Sequence, residues 1–283
     1  MSRASAFGGA TVREALDSAV IAIAAAGSDT PRLDAELLLA EALDVDRAAL
    51  FMDPGREVAG PAVRAFQGFV RRRSVEREPV AYILGRKGFR HIDLLVDERV
   101  LVPRPETELL VEIGLELAAG SRVVDVGTGS GAIALALKQE RPDLDVAGTD
   151  VSDGALDVAR ANAAALGLDV AFFAGDLLAG IQACEAVLAN PPYVAEADRA
   201  LLAPEITAHE PLGALFAGED GLDVIRRLVP AAGAALTPGG LLAIELGAGQ
   251  APAVAALLEA EGFSEVHARA DLAGIERVVT GRR

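Results

Sequence analysis

From Val123 to Leu137 the chain reads VVDVGTGSGAIALAL: an apolar run, three glycines at alternate positions, then a helical pattern. Gly127, Gly129 and Gly131 leave the turn free of Cβ atoms, so a buried strand can pass directly into a helix. The alternation continues along the chain. DVAGTD precedes DGALDVARANAAALG, then VAFFAGD and EAVLANPPY follow, and later GLLAIELG precedes APAVAALLEAEG. Continuous apolar strands separated by helices predict a mostly parallel sheet covered on both faces. Ligands of such sheets sit beyond the carboxyl ends of the strands, near the switch point. Only a short polar segment separates the last two pieces, EVHARA and ERVVTGR, which predicts an antiparallel closing edge.

Upstream of Arg104 the pattern is different. VREALDSAVIAIAAAG, RLDAELLLAEAL and PAVRAFQGFVRRRS carry apolar residues at helical spacing, with turn signals at GSDTP and MDPGREVAGP between them. RKGFRHIDLLVDERVLV, from Arg86 to Val102, loses that period and reads as a hairpin. The expected organisation is a helical domain over 1–85, a hairpin linker over 86–103 and an α/β domain over 104–283.

The chain has 283 residues, 52% of them hydrophobic and 24% charged, enough apolar side chain for a sizeable core. The single cysteine, Cys184, rules out an internal disulfide framework and fits a reducing, cytoplasmic setting. His91, His209 and His267 lack metal-ligand spacing, so no metal is expected. The apolar stretch SAVIAIAAAG follows Glu14 and Asp17 without a basic leader and is too short for a bilayer, so it reads as a core helix. A formal net charge of −16 argues against unassisted binding to long nucleic acid.

Asp150 ends the strand after the glycine turn, where a carboxylate can accept both hydroxyls of a ribose, so a nucleoside-containing cofactor is expected. Gly127, Gly129 and Ala132 also satisfy the dinucleotide pattern, leaving a nicotinamide oxidoreductase as an alternative. Asp125, read as lying at the lip of the turn, would repel a pyrophosphate and attract the ammonium and sulfonium of S-adenosylmethionine. Asp176 is placed to take the adenine amine, with Leu177 beside the ring.

Asn190, Pro191, Pro192 and Tyr193 end the next apolar run. Proline after Asn190 favours an extended backbone there, and two prolines remove two N–H donors while leaving their carbonyls. The tetrad therefore offers acceptors. Asn190 Oδ1 and the Pro191 carbonyl could take both hydrogens of a planar NH2 group and aim its nitrogen at a methyl donor. Tyr193 could pack its ring on the plane.

GTGSG paired with NPPY resembles the amino methyltransferases of the Rossmann-like class I fold. DAELLLAEAL, EPVAYILGRKGF, LVPRPETELLVE, HEPLGALFAGEDGLDVIRRL and DLAGIERVV narrow the resemblance to the release factor glutamine methyltransferase family, the PrmC or HemK type, over nearly the whole chain. The resemblance implies methyl transfer from S-adenosylmethionine to the glutamine of the Gly-Gly-Gln motif in peptide chain release factors one and two, in translation termination. S-adenosylhomocysteine would be the product, and a monomer is expected. It also implies a helical N-terminal domain that helps to grip the release factor. Gly127, Thr128, Gly129, Ser130, Gly131, Asp150, Asp176 and Leu177 match the family's cofactor positions, with Asn190 shared between cofactor and catalysis. Asn190, Pro191, Pro192 and Tyr193 match its glutamine site. Phe89 and the run from Pro103 to Glu108 match segments expected to line the site. EITAHEP and the segment Gly274 to Arg277 depart from the family pattern, outside the tetrad and the glycine loop.

Two other readings use the same features. An adenine methyltransferase of DNA or RNA would use the same tetrad but needs a basic channel and room for a flipped base. A non-catalytic binding protein could keep the fold. Seven basic residues stand between Arg71 and Arg90, namely Arg71, Arg72, Arg73, Arg77, Arg86, Lys87 and Arg90, against Glu76 and Glu78. They read as a solvated helix face and linker, with a surface that steers an acidic partner as the functional alternative.

Overall fold

The computed structural model describes residues 9–283. Within them the chain divides into two compact units, one running up to Gly85 together with Pro204–His209, the other of Arg86–Ala203 and Glu210–Arg283. Residues 1–8 of the expected helical domain lie outside the described residues.

The first unit is helical: α1 (Val12–Ala25), α2 (Pro31–Leu43), α3 (Arg47–Met52), α4 (Pro61–Ser74) and α5 (Val80–Leu84). Thr11 and Glu14 close a reciprocal capping box at the start of α1. Pro31 and Pro61 open α2 and α4, where a missing N–H costs nothing. Leu16, Ile23, Leu38, Leu39, Leu50 and Phe66 form the core of this unit. SAVIAIAAAG forms the second half of α1 and its C-terminal cap, with Ala19 and Ile23 buried. None of the described helices is long and apolar enough to cross a membrane.

The second unit opens with an antiparallel hairpin, β1 (Arg86–Phe89) and β2 (Ile92–Leu95), with Arg90 in a left-handed conformation at its turn. The following elements are α6 (Glu108–Leu115), β3 (Arg122–Val126), α7 (Ala132–Glu140), β4 (Asp145–Asp150), α8 (Asp153–Leu166), β5 (Ala171–Ala174), β6 (Cys184–Ala189), α9 (Pro204–His209, counted with the first unit), α10 (Asp223–Ala235), β7 (Leu236–Glu245), α11 (Ala251–Ala260), β8 (Ser264–Ala270) and β9 (Glu276–Arg282). The seven-stranded sheet has the order β5-β4-β3-β6-β7-β9-β8. The first five strands of that order are parallel, and β9 is antiparallel to both β7 and β8. The order reverses between β3 and β6, which creates the switch point.

Register places the chemistry there. Val126 pairs with Thr149 on one side and Ala189 on the other, while Ala189 pairs with Ile244. The residues that follow, Gly127, Asp150, Asn190 and Glu245, therefore emerge side by side at the carboxyl ends of four adjacent strands.

Candidate active site

Gly127, Gly129 and Gly131 have φ of +71°, +55° and +83°, the left-handed region that disfavours any side chain. The turn is closed from below: Thr149 O accepts from the Gly127 and Thr128 N–H groups at 2.8 and 2.9 Å. Asp150 closes it from the side, with Oδ2 accepting from Gly129 N at 2.9 Å and Oδ1 from Ser152 N at 2.9 Å. Each carboxylate oxygen keeps a further acceptor site.

A cavity of about 370 Å³ opens over these strand ends. That volume falls within the ~300–1,000 Å³ of small-molecule sites. Gly127 to Ser130, Asp150, Asp176, Leu177 and Asn190 to Pro192 all contribute to its wall, as do Pro103, Arg104 and Thr107. Leu177 has φ of +54°, unusual for a residue with a side chain, and its carbonyl accepts from Thr149 Oγ1 at 2.7 Å. Asp176 is ion-paired with Arg227 of α10 at the rim.

Asn190 donates from Nδ2 to Thr107 Oγ1 at 3.0 Å, so its Oδ1 is the end left for a donor in the cavity. Glu245, 1% exposed, lies behind this pair. Tyr193 donates to Glu245 Oε1 at 3.3 Å, and the Tyr193 carbonyl accepts from Gln250 Nε2 at 3.0 Å. Gly221, at φ +77°, passes so close that a Cβ would sit 2.2 Å from the Tyr193 carbonyl oxygen. Burial pushes the Glu245 carboxyl up to about 7 against the pull of the Thr107 and Tyr193 hydroxyls.

One sequence expectation needs correction, and three further residues stand apart from the cavity wall. Asp125 is not at the lip of the turn: it is 1% exposed, lies outside the cavity wall and is held under the turn, accepting from Thr128 Oγ1 at 2.6 Å and Ala134 N at 3.2 Å. Burial raises its pKa to about 7 against the pull of the Thr128 hydroxyl and the Ala134 N–H. Phe89 is 2% exposed and outside the cavity wall, because it occupies an inward position of β1 opposite Ile92. Gly131 also stands outside the wall, and a Cβ there would meet Leu135 Cδ1 at 2.9 Å. Tyr193 turns its hydroxyl inward to Glu245 and is absent from the wall.

The basic stretch is not a free cationic face. Arg71 pairs with Glu76, Arg72 with Glu78, Arg73 with Asp34 and Glu205, Arg77 with Glu205, and Arg90 with Glu140. Arg73 is buried. Glu245 was not singled out from sequence, and Thr107 only as part of the run from Pro103 to Glu108. The available signal was an acid ending an apolar strand, a position Glu245 shares with Asp150.

Residues 14–85 match the family model described as PrmC N-terminal domain, and residues 105–210 match the one described as Methyltransferase small domain. The release factor glutamine methyltransferase of Deinococcus radiodurans is 44% identical over 277 residues, covering 96% of this chain and 98% of that protein. The protein of the same name from Geobacter sulfurreducens is 41% identical over 275 residues, covering 96% of each. Among solved structures, a methyltransferase from Pyrococcus furiosus is 17% identical with a TM-score of 0.52, spanning 68% of this chain and 88% of its own, which speaks for the fold alone. With such identity along nearly the whole length, the chain belongs to the release factor glutamine methyltransferase family.

Proposed function

We propose that this protein transfers a methyl group from S-adenosylmethionine to the side-chain amide nitrogen of the glutamine in the Gly-Gly-Gln motif of peptide chain release factors one and two. The observation that carries this reading is the register that sets the glycine turn and Asp150 beside Asn190 around one cavity, in a chain of this family. When bound, S-adenosylmethionine would supply the methyl group from its positively charged sulfur and leave as neutral S-adenosylhomocysteine, while the methylated amide nitrogen would release one of its two hydrogens as a proton to solvent.

The protein's own part is to hold and aim. Gly127 to Ser130 offer a backbone without side-chain obstruction, the free lone pairs of Asp150 accept ribose hydroxyls, and Asp176 and Leu177 frame the adenine. Asn190 Oδ1 and the Pro191 carbonyl accept the two hydrogens of the glutamine amide and fix its nitrogen in line with the methyl. Positioning of this kind can lower a barrier by several kcal/mol. Tyr193 anchors the tetrad through Glu245 and Gln250. We assign residues 1–85 to gripping the release factor and 104–283 to catalysis, with the hairpin of 86–103 between them in sequence. The protein acts on this reading as a cytoplasmic monomer without direct nucleic-acid contact.

The test is incubation of purified release factor one or two with the protein and S-adenosylmethionine, followed by mass spectrometry. One added methyl on the Gly-Gly-Gln peptide is expected. An unmodified peptide beside a methylated adenine oligonucleotide would overturn the reading in favour of a nucleic-acid enzyme.

A further inference from the structure

One buried acid at the site enters that scheme only as the anchor of Tyr193. Glu245 stands beside Asn190 because Ala189 pairs with Ile244. Its Oε1 accepts from Tyr193 at 3.3 Å, while Oε2 is buried without a hydrogen-bond partner. The Thr107 hydroxyl lies close enough to pull the Glu245 pKa down without closing a full bond to Oε2. On its other side Thr107 Oγ1 accepts from Asn190 Nδ2 at 3.0 Å.

A hydroxyl has one proton to donate, and a charged carboxylate can only accept. A charged Glu245 would draw the Thr107 proton to its own side, leaving Oγ1 as the acceptor that the NH2 end of Asn190 meets. Oδ1 is then presented to the cavity. Without that charge, Thr107 is free to turn its proton toward Asn190 Oδ1. The side chain can then rotate by half a turn and present NH2 to the incoming NH2 group, donor against donor.

We propose that Glu245 is a positioning residue that acts through Thr107, with Tyr193 holding its other oxygen, to fix which end of the Asn190 side chain meets the substrate amide. The proposal rests on the assignment of Asn190 to the glutamine site. The groups that face Glu245 are the Thr107 and Tyr193 hydroxyls, the Glu106 carboxylate, which opposes its charge, and Arg277, which favours it. With burial as the largest influence its carboxyl titrates near 7, so the orienting charge is lost as pH falls through neutrality.

The experiment uses the full chain and purified release factor. Glu245→Gln is isosteric and mimics the uncharged acid; Thr107→Val removes the relay, and Thr107→Ser restores it. Circular dichroism checks that each variant is folded. Both E245Q and T107V are expected to lose kcat by about tenfold to a hundredfold with little change in KM for release factor, and T107S to recover most of it. Wild-type kcat falls as pH drops from 8 to 6, while E245Q is flat.

Independently of turnover, the ¹⁵N side-chain NH2 signals of Asn190, identified by their loss in N190A, are expected to shift with pH near 7 in wild type and not in E245Q or T107V. Wild-type kcat and pH profile in E245Q, or Asn190 signals that titrate there as in wild type, overturn the proposal. A protein that methylates no release factor yet shows the expected NMR titration sinks the functional reading while the hold of Glu245 on Asn190 stands.

Discussion

At Asn190 two requirements meet: a backbone held extended by the following proline, and a side chain whose NH2 end is occupied by Thr107. Removing the side chain should leave the cavity largely intact. Asn190→Ala is expected to lower kcat by about 10²-fold or more, the scale of a lost positioning contact, with S-adenosylhomocysteine affinity by calorimetry changed only a few-fold. A parallel loss of affinity would mean that Asn190 serves the cofactor first. The tetrad was legible in sequence because its chemistry is local, four consecutive residues whose prolines announce the geometry. Glu245 was not legible, because its neighbourhood to Asn190 depends on strand register more than fifty residues away. Asp125 was misplaced for a related reason. A strand-end acid next to a glycine turn can face out or tuck under, and only the acceptor demand of Thr128 and Ala134 decides.

Among the elements, the seven sheet strands were readable as apolar runs, and the hairpin as a break in helical period. α6 and α10 were not read as helices. α10 contains Pro230, which would ordinarily end such a pattern; it is tolerated because Pro230 is exposed, where water can satisfy the carbonyl it leaves free. α8 fastens the hairpin to the glycine turn through one residue, Asn162. Its Oδ1 accepts from Leu95 N at 2.7 Å, and its Nδ2 donates to the carbonyls of Leu95 and Ser130 at 3.0 and 2.9 Å. Asn162→Ala strands the buried Ser130 carbonyl and the part-buried backbone of Leu95, at about 1–3 kcal/mol for each group left unsatisfied. Urea unfolding should show a loss of ~2–4 kcal/mol on that scale, with weaker cofactor binding through the Ser130 end of the turn. A stability within experimental error of wild type would show that water replaces the amide.

Across the whole molecule, the charged groups that govern stability pull in opposite directions with pH. Asp125 and Glu245 are both raised to about 7 from 3.8 and 4.5 by burial. Each contributes stability that is complete below its unfolded value and is lost as pH climbs through 7. Glu140 and Glu205 are lowered, despite partial burial, by their arginine partners, so their contribution is present above the unfolded value and is lost on acidification. Thermal unfolding is therefore expected to give a higher midpoint at pH 6 than at pH 8. The difference should be a few degrees, at roughly 2–4 °C per kcal/mol for domains of this size, and smaller in the Asp125→Asn, Glu245→Gln double variant. An unchanged difference would show that other groups set it. The arginines read from sequence as a steering surface are largely occupied in ion pairs, and composition could not reveal this because the partners Asp34, Glu140 and Glu205 lie far along the chain. Glu205 has a wider implication. It sits on a helix encoded between the tetrad and α10, yet its partners Arg73 and Arg77 belong to the N-terminal bundle. The bundle is thus written in two separated stretches of the gene, and neither half can be exchanged between relatives as an independent cassette without carrying its matching acid or its matching arginines along.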